Sequence, residues 1–444
     1  MSTEDRIRVR IDTMDSDGRG ISRVGGMVVF VPGTFPGDEA EIRITDRKKN
    51  YAEGALINRI ESAPDRISAA CPHASVCGGC KFQELSYPAQ LIHKENMVRE
   101  ALRRIGGIRE PRILPILGMK DPVAYRNKAQ FPVSGSCVGY YREKSHDIVP
   151  IESCMLQASP AVSLAKAFRS FLQEHPKNIY RHLVVRTALT GEVMAILVAN
   201  KKDVTRLEDL AERLDQAVQA PYSLESLILN VNKNADARVL GAECITLAGK
   251  SVIRDILKTS HGDLRVEVSP LSFYQVNPIQ MSVLYGKVYE YAGLTGTETV
   301  LDLYCGVGSI GLSLSGKAGR VIGVESIRSA VTDANRNAVL NGIVNAEFVW
   351  GKAEEILDKR LSGLRADVVI LDPPRQGCDP ALLDAVGERA PSKIIYVSCN
   401  PATLARDVKL LCEKGFEFVE AQPVDMFPWT THVETVVLMS RVDK

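Results

Sequence analysis

Residues 301–309 have the sequence LDLYCGVGS, in which an apolar run of strand-forming residues leads into a turn with two glycines. Gly306 and Gly308 lack side chains, so a ligand can approach the backbone closely at this turn. In sheets of parallel strands, ligands bind outside the carboxyl ends of the strands, where such turns lie. The stretch therefore predicts the first strand-to-helix turn of an α/β domain with a small-molecule pocket.

Further short runs rich in β-branched residues follow, separated by stretches of helix-forming residues. This alternation predicts a mainly parallel, doubly wound sheet over residues 266–444. The expected strands cover residues 299–303, 320–324, 347–350, 367–371 and 394–397, with 416–421 and 433–439 completing the sheet.

The amino-terminal segment has a different pattern. Five short runs with β-strand character, separated by glycine and proline, lie within residues 6–61. They predict a small barrel of the OB type over residues 1–62. Such barrels often bind single-stranded nucleic acid or structured RNA, although a barrel used only for packing would have the same pattern.

Residues 70–265 form a central α+β segment. Residues 86–88 begin a helix that residues 106–107 end, and a hairpin is expected around residues 190–191. Cations on the helix and after it predict either a phosphate-contacting stripe or an ordinary solvated surface. These cations are Arg99, Arg103, Arg104, Arg109, Arg112, Arg126, Lys128, Arg142 and Lys144.

Composition limits the class of protein. The chain has 444 residues, with 55 Lys and Arg against 54 Asp and Glu, and this balance does not by itself indicate a nucleic-acid-binding protein. The length predicts two or three domains. Residues 1–5 do not resemble a signal peptide and no apolar run is long enough to span a membrane, so we expect a cytoplasmic protein.

Three of the ten cysteines cluster in a glycine-rich loop. Cys71, Cys77 and Cys80 are spaced like metal ligands, and Cys154 is preferred over Cys137 as a distant fourth ligand. Four thiolates suit a tetrahedral zinc ion or an iron–sulfur cluster. In a protein expected in the cytoplasm, metal binding is favoured over structural disulfides.

Cys399 lies between an apolar strand, residues 394–397, and a segment of helix-forming residues. Asn400 is a favoured N-cap and Pro401 a favoured first helical residue, so the sulfur is expected near the positive end of a helix dipole. This field favours the thiolate, which is the reactive form of cysteine. Cys399 is therefore a candidate nucleophile.

Three carboxylates complete the candidate site. Glu325 ends the second strand, where a carboxylate can accept both hydroxyls of a ribose, which favours S-adenosylmethionine or a dinucleotide. Asp372 precedes Pro373 and Pro374, a rigid rim that favours methyl transfer over hydride transfer. Methyl transfer to C5 of uracil is a reaction that needs a thiol, because thiolate addition at C6 makes C5 nucleophilic enough to accept a methyl group. Glu434 begins the last expected strand and is a candidate base for the C5 proton.

The combined motifs resemble the RNA (uracil-5-)-methyltransferase family, in particular the bacterial 23S ribosomal RNA enzymes with an amino-terminal TRAM domain and a [4Fe–4S] cluster. The TRAM-like motifs lie at residues 17–20, 29–32, 36–38 and 62–66. The cluster motif covers residues 71–80, with Cys154 in the place of the fourth ligand. The resemblance implies a Rossmann-like class I methyltransferase domain, S-adenosylmethionine as cofactor, iron and sulfur rather than zinc, and a monomer.

The same resemblance assigns roles to individual residues. It implies that Cys399 is the nucleophile and Glu434 the proton acceptor, with RNA, most specifically 23S ribosomal RNA, as substrate. The implied cofactor pocket consists of Gln275 in the motif FYQVN, Tyr304, Glu325 and Asp372.

Other interpretations share parts of this pattern. A transfer-RNA m5U enzyme has the same catalytic residues, and an RNA cytosine-C5 methyltransferase uses the same thiol addition. An adenine amino-group methyltransferase has a similar Asp-Pro-Pro rim but needs no thiol. A non-catalytic iron–sulfur RNA-binding factor is the alternative that is not an enzyme.

Overall fold

The computed structural model describes residues 6–234, 238–259, 261–359 and 361–442. These residues form an amino-terminal sheet, a central sheet and a carboxy-terminal sheet. No helix in the described ranges is both long enough and apolar enough to cross a membrane.

The amino-terminal sheet curves around its own small core. Its strands are β1 (Arg6–Arg10), β2 (Thr13–Met14), β3 (Gly20–Val24), β4 (Met27–Val31), β5 (Glu39–Arg47) and β6 (Tyr51–Glu61), in the order β1-β5-β6-β4-β3-β2. Inward side chains alternate along the strands, as in Val29 and Val31 on β4. The five expected strands are present, together with the short strand β2, and their arrangement fits the predicted amino-terminal β domain.

Helix α1 (Tyr87–Arg104) starts and ends where the sequence predicts. Helical spacing of Leu91, Met97, Val98, Leu102 and Ile105 predicts an apolar stripe, but Ile105 is exposed and two polar side chains are buried instead. The stripe has a spacing of four residues and consists of Gln90, Lys94, Val98 and Leu102. Its apolar end packs into the core of the carboxy-terminal sheet.

The central sheet has seven strands in the order β13-β12-β11-β10-β7-β8-β9. They are β7 (Lys128–Ser134), β8 (Cys137–Tyr141), β9 (Ile148–Pro150), β10 (Tyr180–Thr187), β11 (Glu192–Ala199), β12 (Ser223–Val231) and β13 (Glu243–Gly249). Helices α2 (Ser159–Glu174) and α3 (Leu207–Gln216) share a core with it. The predicted hairpin is β10–β11.

The carboxy-terminal part begins with the hairpin β14 (Ile253–Leu257) and β15 (Leu264–Val268) and helix α4 (Pro278–Ala292). The sheet strands are β16 (Thr299–Leu303), β17 (Arg320–Glu325), β18 (Ala346–Trp350), β19 (Val368–Leu371), β20 (Lys393–Ser398), β21 (Phe416–Val424) and β22 (Glu434–Arg441). The helices between them are α5 (Ser309–Leu314), α6 (Arg328–Leu340), α7 (Ala353–Lys359), α8 (Pro380–Arg389) and α9 (Pro401–Glu413).

The strand order of this sheet is β18-β17-β16-β19-β20-β22-β21, and only β22 runs antiparallel to its neighbours. Successive side chains point to opposite faces, so Val300 packs with α4 and α5 whereas Leu301 packs with α8 and α9. Helices on both faces explain why these strands are continuously apolar. The predicted doubly wound sheet is confirmed.

The boundaries at residues 62 and 265 remain predictions. Helix α1 and the hairpin β14–β15 both contribute to the core of the carboxy-terminal sheet, although most of each lies in the predicted central segment.

Candidate active site

The predicted site residues of the carboxy-terminal part meet at the side of the sheet where its parallel strands end. We call this side, with the residues named next, the catalytic edge. Tyr304, Glu325, Asp372 and Cys399 stand at or just after the carboxyl ends of four parallel strands. Because β22 is antiparallel, its first residue, Glu434, lies at the same edge. This edge is where ligands bind in open α/β sheets.

The glycine turn after β16 is built for a close ligand. Tyr304, Gly306 and Gly308 have positive φ angles of 66°, 55° and 79°. A Cβ on Gly308 would lie 2.7 Å from Phe348 Cζ, so only glycine fits there. The Gly306 N–H donates to Glu325 Oε2 at 3.1 Å, which holds the carboxylate of β17 against the turn. The arrangement fits the ribose-binding role expected of Glu325.

Asp302 is a site residue that the sequence analysis missed. Its Oδ2 accepts a hydrogen bond from the Gly311 N–H at 2.9 Å, whereas its buried Oδ1 has no partner among the described residues. Burial raises the pKa of this carboxyl to about 8. An unpaired buried oxygen beside the glycine turn is free to bind a polar cofactor group, and the residues here fit S-adenosylmethionine.

The Gln275 motif borders the same turn. A Cβ added to Gly306 would lie 3.9 Å from the main-chain carbonyl oxygen of Phe273. Gln275 is buried, and its main-chain carbonyl accepts a hydrogen bond from Asn127 Nδ2 at 3.0 Å. The motif ends at Asn277, the N-cap of α4, whose side chain accepts from Gln280 N and donates to Met426 O. The structure thus places Phe273 of this motif beside the glycine turn and links the motif to the segment before β22.

Cys399 occupies the predicted strand-to-helix corner, with Asn400 as N-cap and Pro401 at the first helical position of α9. The expected lowering of its pKa is wrong. Burial and the nearby charge of Glu434 raise the pKa of Cys399 to about 11, with Asp372 adding to the effect. Desolvation and two carboxyls therefore outweigh the helix end.

Two buried carboxyls share the space around this thiol. Burial raises the pKa of Asp372 to about 7. Burial and the charge of Asp372 raise the pKa of Glu434 well above its usual value. Buried titratable groups whose pKa values are shifted by one another are candidates for general acid–base catalysis.

Arg375 provides the opposing charge and was not among the predicted residues. Its charge lowers the pKa of both Cys399 and Glu434. Its carbonyl accepts from Asn400 Nδ2 at 3.1 Å and from the hydroxyl of Thr403, so the loop after β19 is fixed to the start of α9. Its guanidinium donates to Nε2 of His432 at 3.0 Å. Burial and the charge of Arg375 lower the pKa of His432 to about 4, which keeps the imidazole neutral.

The predicted metal ligands come together elsewhere. Cys71, Cys77, Cys80 and Cys154 line one cavity of about 100 Å³, whereas the Cys137 thiol contacts the carbonyl of Ile148 instead. Burial raises the pKa of Cys80 to about 12, and the neighbouring sulfurs add to this. Within the described ranges, no group of three or more His, Cys, Asp or Glu side chains is arranged to hold a single metal ion. The structure thus shows four grouped thiols but not the predicted metal centre.

A groove of about 1190 Å³ connects the barrel, the cysteine loop and the segment before Glu434. A Cβ on Gly18 of the barrel would lie 2.9 Å from Thr431 Cγ2, so barrel and catalytic edge are in direct contact. Five cations line the groove: Arg19, Lys81, Arg126, Arg142 and Lys144.

Of the two interpretations of the basic residues on α1, the structure favours an ordinary charged surface. Arg99 pairs with Glu95, and Arg103 and Arg104 pair with Glu100. Arg112 pairs with Glu420 on β21. In the groove, Arg19 and Lys81 are ion-paired as well, and Asp17, Glu84 and Glu143 also line it. Arg142 and Lys144 form no ion pair among the described residues, so the groove has the better candidates for phosphate contacts.

Comparison with known proteins agrees with this geometry. The family described as tRNA (Uracil-5-)-methyltransferase matches residues 185–442, and the TRAM domain matches residues 5–57. An uncharacterized RNA methyltransferase of Caldanaerobacter subterraneus subsp. tengcongensis is 43% identical over 99% of this chain and 98% of its own length. A second one, from Bacillus cereus, is 43% identical over 99% of this chain and 97% of its own length.

A solved structure covers nearly the whole chain as well. The crystal structure of the Pyrococcus abyssi tRNA (uracil-54, C5)-methyltransferase, in complex with S-adenosyl-L-homocysteine, is 28% identical. It superposes with a TM-score of 0.76 over 98% of this chain and all of that one. The chain therefore belongs to the tRNA (uracil-5-)-methyltransferase family and is an RNA (uracil-5-)-methyltransferase that uses S-adenosylmethionine.

Proposed function

We propose that this protein methylates C5 of a uridine in 23S ribosomal RNA through a covalent bond between Cys399 and C6 of that uridine. The observation that carries the proposal is the meeting of Cys399, Asp372 and Glu434 at one edge of the sheet. A nucleophile and a base beside a cofactor turn are the parts that this chemistry requires.

Cys399 starts the reaction. As a thiolate, its Sγ forms a bond to C6, and the electron pair of the C5=C6 double bond moves toward O4. C5 then has the electron density needed to take up a methyl group, so one difficult step becomes two easier ones. The charge of Arg375 favours the thiolate over the thiol.

Four residues are assigned to the cofactor pocket: Gln275, Tyr304, Glu325 and Asp372. S-adenosylmethionine, when bound, supplies the electrophilic methyl group. Glu325 is held by the Gly306 N–H at the end of β17, where it can accept the ribose hydroxyls. Gln275 and Asp372 also orient the uracil ring by hydrogen bonds to its edge.

Glu434 completes the reaction as the proton acceptor. Its carboxylate removes the C5 proton, the electron pair of that C–H bond re-forms the C5=C6 double bond, and the S–C6 bond breaks to release Cys399 as a thiolate. A carboxyl whose pKa is raised by burial is a stronger base than an exposed one.

The RNA around the target is assigned to the groove between the barrel and the catalytic edge. The uridine must leave the base stack, because neither ring face at C6 is open within a stack. Arg142 and Lys144 form no ion pair within the described part of the chain, so both are available to phosphates.

We also assign a [4Fe–4S] cluster to the four-cysteine cavity. Four thiols in one cavity are the donor set of such a cluster, whose corners hold the thiolates further apart than a single ion does. The chemistry at C5 moves no unpaired electron, so the cluster would supply structural support. The Gly78 N–H donates to Tyr141 O at 3.0 Å, which joins the cysteine loop to the β8–β9 hairpin that lines the groove.

Transfer RNA is the second candidate substrate. The Pyrococcus abyssi enzyme, described as a tRNA (uracil-54, C5)-methyltransferase, matches this chain over its barrel as well as its catalytic part. The assignment to 23S ribosomal RNA rests on the resemblance to bacterial enzymes with both a TRAM domain and the four-cysteine motif.

The test is to incubate the purified protein and labelled S-adenosylmethionine with unmodified 23S ribosomal RNA or transfer RNA, and to map 5-methyluridine. Label confined to 23S RNA supports the proposal, and label confined to transfer RNA selects the second candidate. In parallel, RNA containing 5-fluorouridine should form a thioether with Cys399. The absence of that adduct would reject the covalent mechanism.

A further inference from the structure

The buried stripe of α1 contains a lysine that the proposed chemistry does not use. Lys94 and Asp425 are both fully buried, and Lys94 Nζ donates to Asp425 Oδ1 at 2.6 Å. Lys94 Nζ also donates to the Phe427 carbonyl at 2.9 Å. The second carboxylate oxygen of Asp425 accepts from the Tyr87 hydroxyl at 2.8 Å. Two side chains of α1 thus hold both oxygens of Asp425.

A third side chain of the same helix holds the next part of this segment. Gln90 Oε1 accepts a hydrogen bond from the main-chain N–H of Trp429 at 2.9 Å. Gln90 Nε2 donates to the main-chain carbonyls of Phe82 and Leu85. Trp429 has a φ of 68°, a left-handed conformation that is unfavourable for a residue other than glycine. We call Tyr87, Gln90 and Lys94 together the α1 clamp.

The clamped segment, residues 425–433, leads directly into the proton acceptor. Val424, the last residue of β21, pairs with Glu434 across the β21–β22 ladder, so Asp425 follows the residue opposite Glu434. His432, which contacts Arg375, lies in the same segment. The clamp therefore fixes the first half of the connection, from Asp425 to Trp429, and the contact of His432 with Arg375 fixes the half next to Glu434.

The same segment is also tied to the cofactor side. Asn277 Nδ2 donates to Met426 O at 3.0 Å, and Gln280 Nε2 donates to Asp425 O at 3.2 Å. Both residues begin α4, immediately after Gln275. The segment thus joins the Gln275 motif to the start of β22.

A buried ion pair is a poor way to stabilise a fold, because desolvation offsets the attraction and apolar replacements are often as stable. Its directional hydrogen bonds do fix geometry. We propose that the α1 clamp is a positioning device for Glu434, in which Lys94 fixes Asp425 so that the Glu434 carboxylate reaches the C5 proton. This inference rests on the proposed roles of Cys399 and Glu434; Lys94 itself touches neither substrate nor cofactor.

The test separates positioning from stability. Lys94→Met alone leaves the Asp425 charge unpaired and buried, which destabilises the protein. The double variant Lys94→Met/Asp425→Asn removes both charges and keeps an acceptor for Tyr87. We expect the double variant to transfer methyl groups in a single turnover within about threefold of the wild-type rate, and to release the methylated RNA at least about tenfold more slowly.

The measurement is the fraction of protein covalently bound to methylated RNA on denaturing gels, together with the rate of C5 proton release. Leu102→Ala, in the same buried stripe, is the control: it lowers the melting temperature without raising that fraction. Release at the wild-type rate in a stable double variant would overturn the inference. The Glu434→Gln variant distinguishes failure of the clamp proposal from failure of the proposed function. If neither variant accumulates the covalent adduct, the proposed function is wrong. If only Glu434→Gln accumulates it, the proposed function stands and the clamp proposal is wrong.

Discussion

Two regions of the molecule contain buried thiols, and the groups that surround these thiols differ. Cys399 lies near two carboxyls, an arginine and the amino-terminal end of α9, whereas the described lining of the four-cysteine cavity contains no Asp or Glu. In both regions burial raises the thiol pKa. A thiol beside titratable carboxyls and an arginine is arranged for acid–base chemistry, whereas several thiols in one cavity are the donor set of a metal site.

The largest expected difference concerns the chemistry. Cys399→Ala should lower methyl transfer by about 10⁴-fold or more, because no other group can form the bond to C6. Binding of S-adenosylmethionine, measured by calorimetry, should be unchanged. Turnover close to the wild-type rate would show that Cys399 is not the nucleophile. The contrast between a catalytic thiol at Cys399 and structural thiols in the four-cysteine cavity would then be lost.

Glu434→Gln should block the second half of the reaction. An amide cannot accept the C5 proton, so protein covalently bound to methylated RNA should accumulate, with release slowed by about 10² to 10⁴-fold. Denaturing gels with labelled RNA measure this species. Glu417→Gln, on the neighbouring β21, is the matched control and should release RNA normally. Only free RNA in the Glu434 variant would remove this residue from the proton-accepting role.

Cys77→Ser should affect the other region. We expect loss of bound iron and a melting temperature lower by roughly 5 °C or more, because metal binding contributes to folding stability. Cys137→Ser is the control, since its thiol lies on the adjacent β8 but does not line the cavity. Iron content by elemental analysis and thermal unfolding provide the comparison. Equal iron in both variants would argue against a four-cysteine centre.

The smallest expected effect concerns the acidity of Cys399. With a pKa of about 11, its alkylation by iodoacetamide should rise about tenfold per pH unit between about pH 7 and pH 10, as the thiolate fraction grows. Arg375→Gln removes the charge that favours the thiolate, so the rate at a fixed pH should fall roughly two- to fivefold. Peptide mass spectrometry of the Cys399 peptide measures both rates.

Arg320→Gln is the control for the acidity measurement, because Arg320 starts β17 at the opposite edge of the sheet and pairs with Glu347. It should leave the alkylation rate of Cys399 unchanged. A plateau of the wild-type rate near neutral pH would instead mean that the helix end dominates the pKa of Cys399, as the sequence predicted.

Much of the fold could be predicted because apolar runs and their spacing are local features. The same is true of the corner at Cys399, which depends on Asn400 and Pro401. Its pKa could not be predicted, because it depends first on burial and then on the charge of Glu434. Glu434 reaches the corner through the pairing of Ser398 with Thr435 across β20 and β22. Local sequence indicates the helix end but not the carboxyls that outweigh it.

The buried polar stripe of α1 shows the same limit. Gln90 and Lys94 share a four-residue spacing with Val98 and Leu102, and this spacing is the one signal that could have identified them. Periodicity analysis assigns polar residues to the solvent side of a helix. Nothing near Lys94 in the chain indicates its partner, Asp425, which lies across the fold.

The strand order of the carboxy-terminal sheet has a consequence for how the enzyme matures. β22 lies between β20 and β21, and β21 pairs with no other strand of that sheet in the described chain. β21 can therefore join the sheet only together with β22, and the same event brings Glu434 beside Cys399. A folding intermediate without β22 would therefore lack Glu434 and would also carry β20 as an unpaired, aggregation-prone sheet edge.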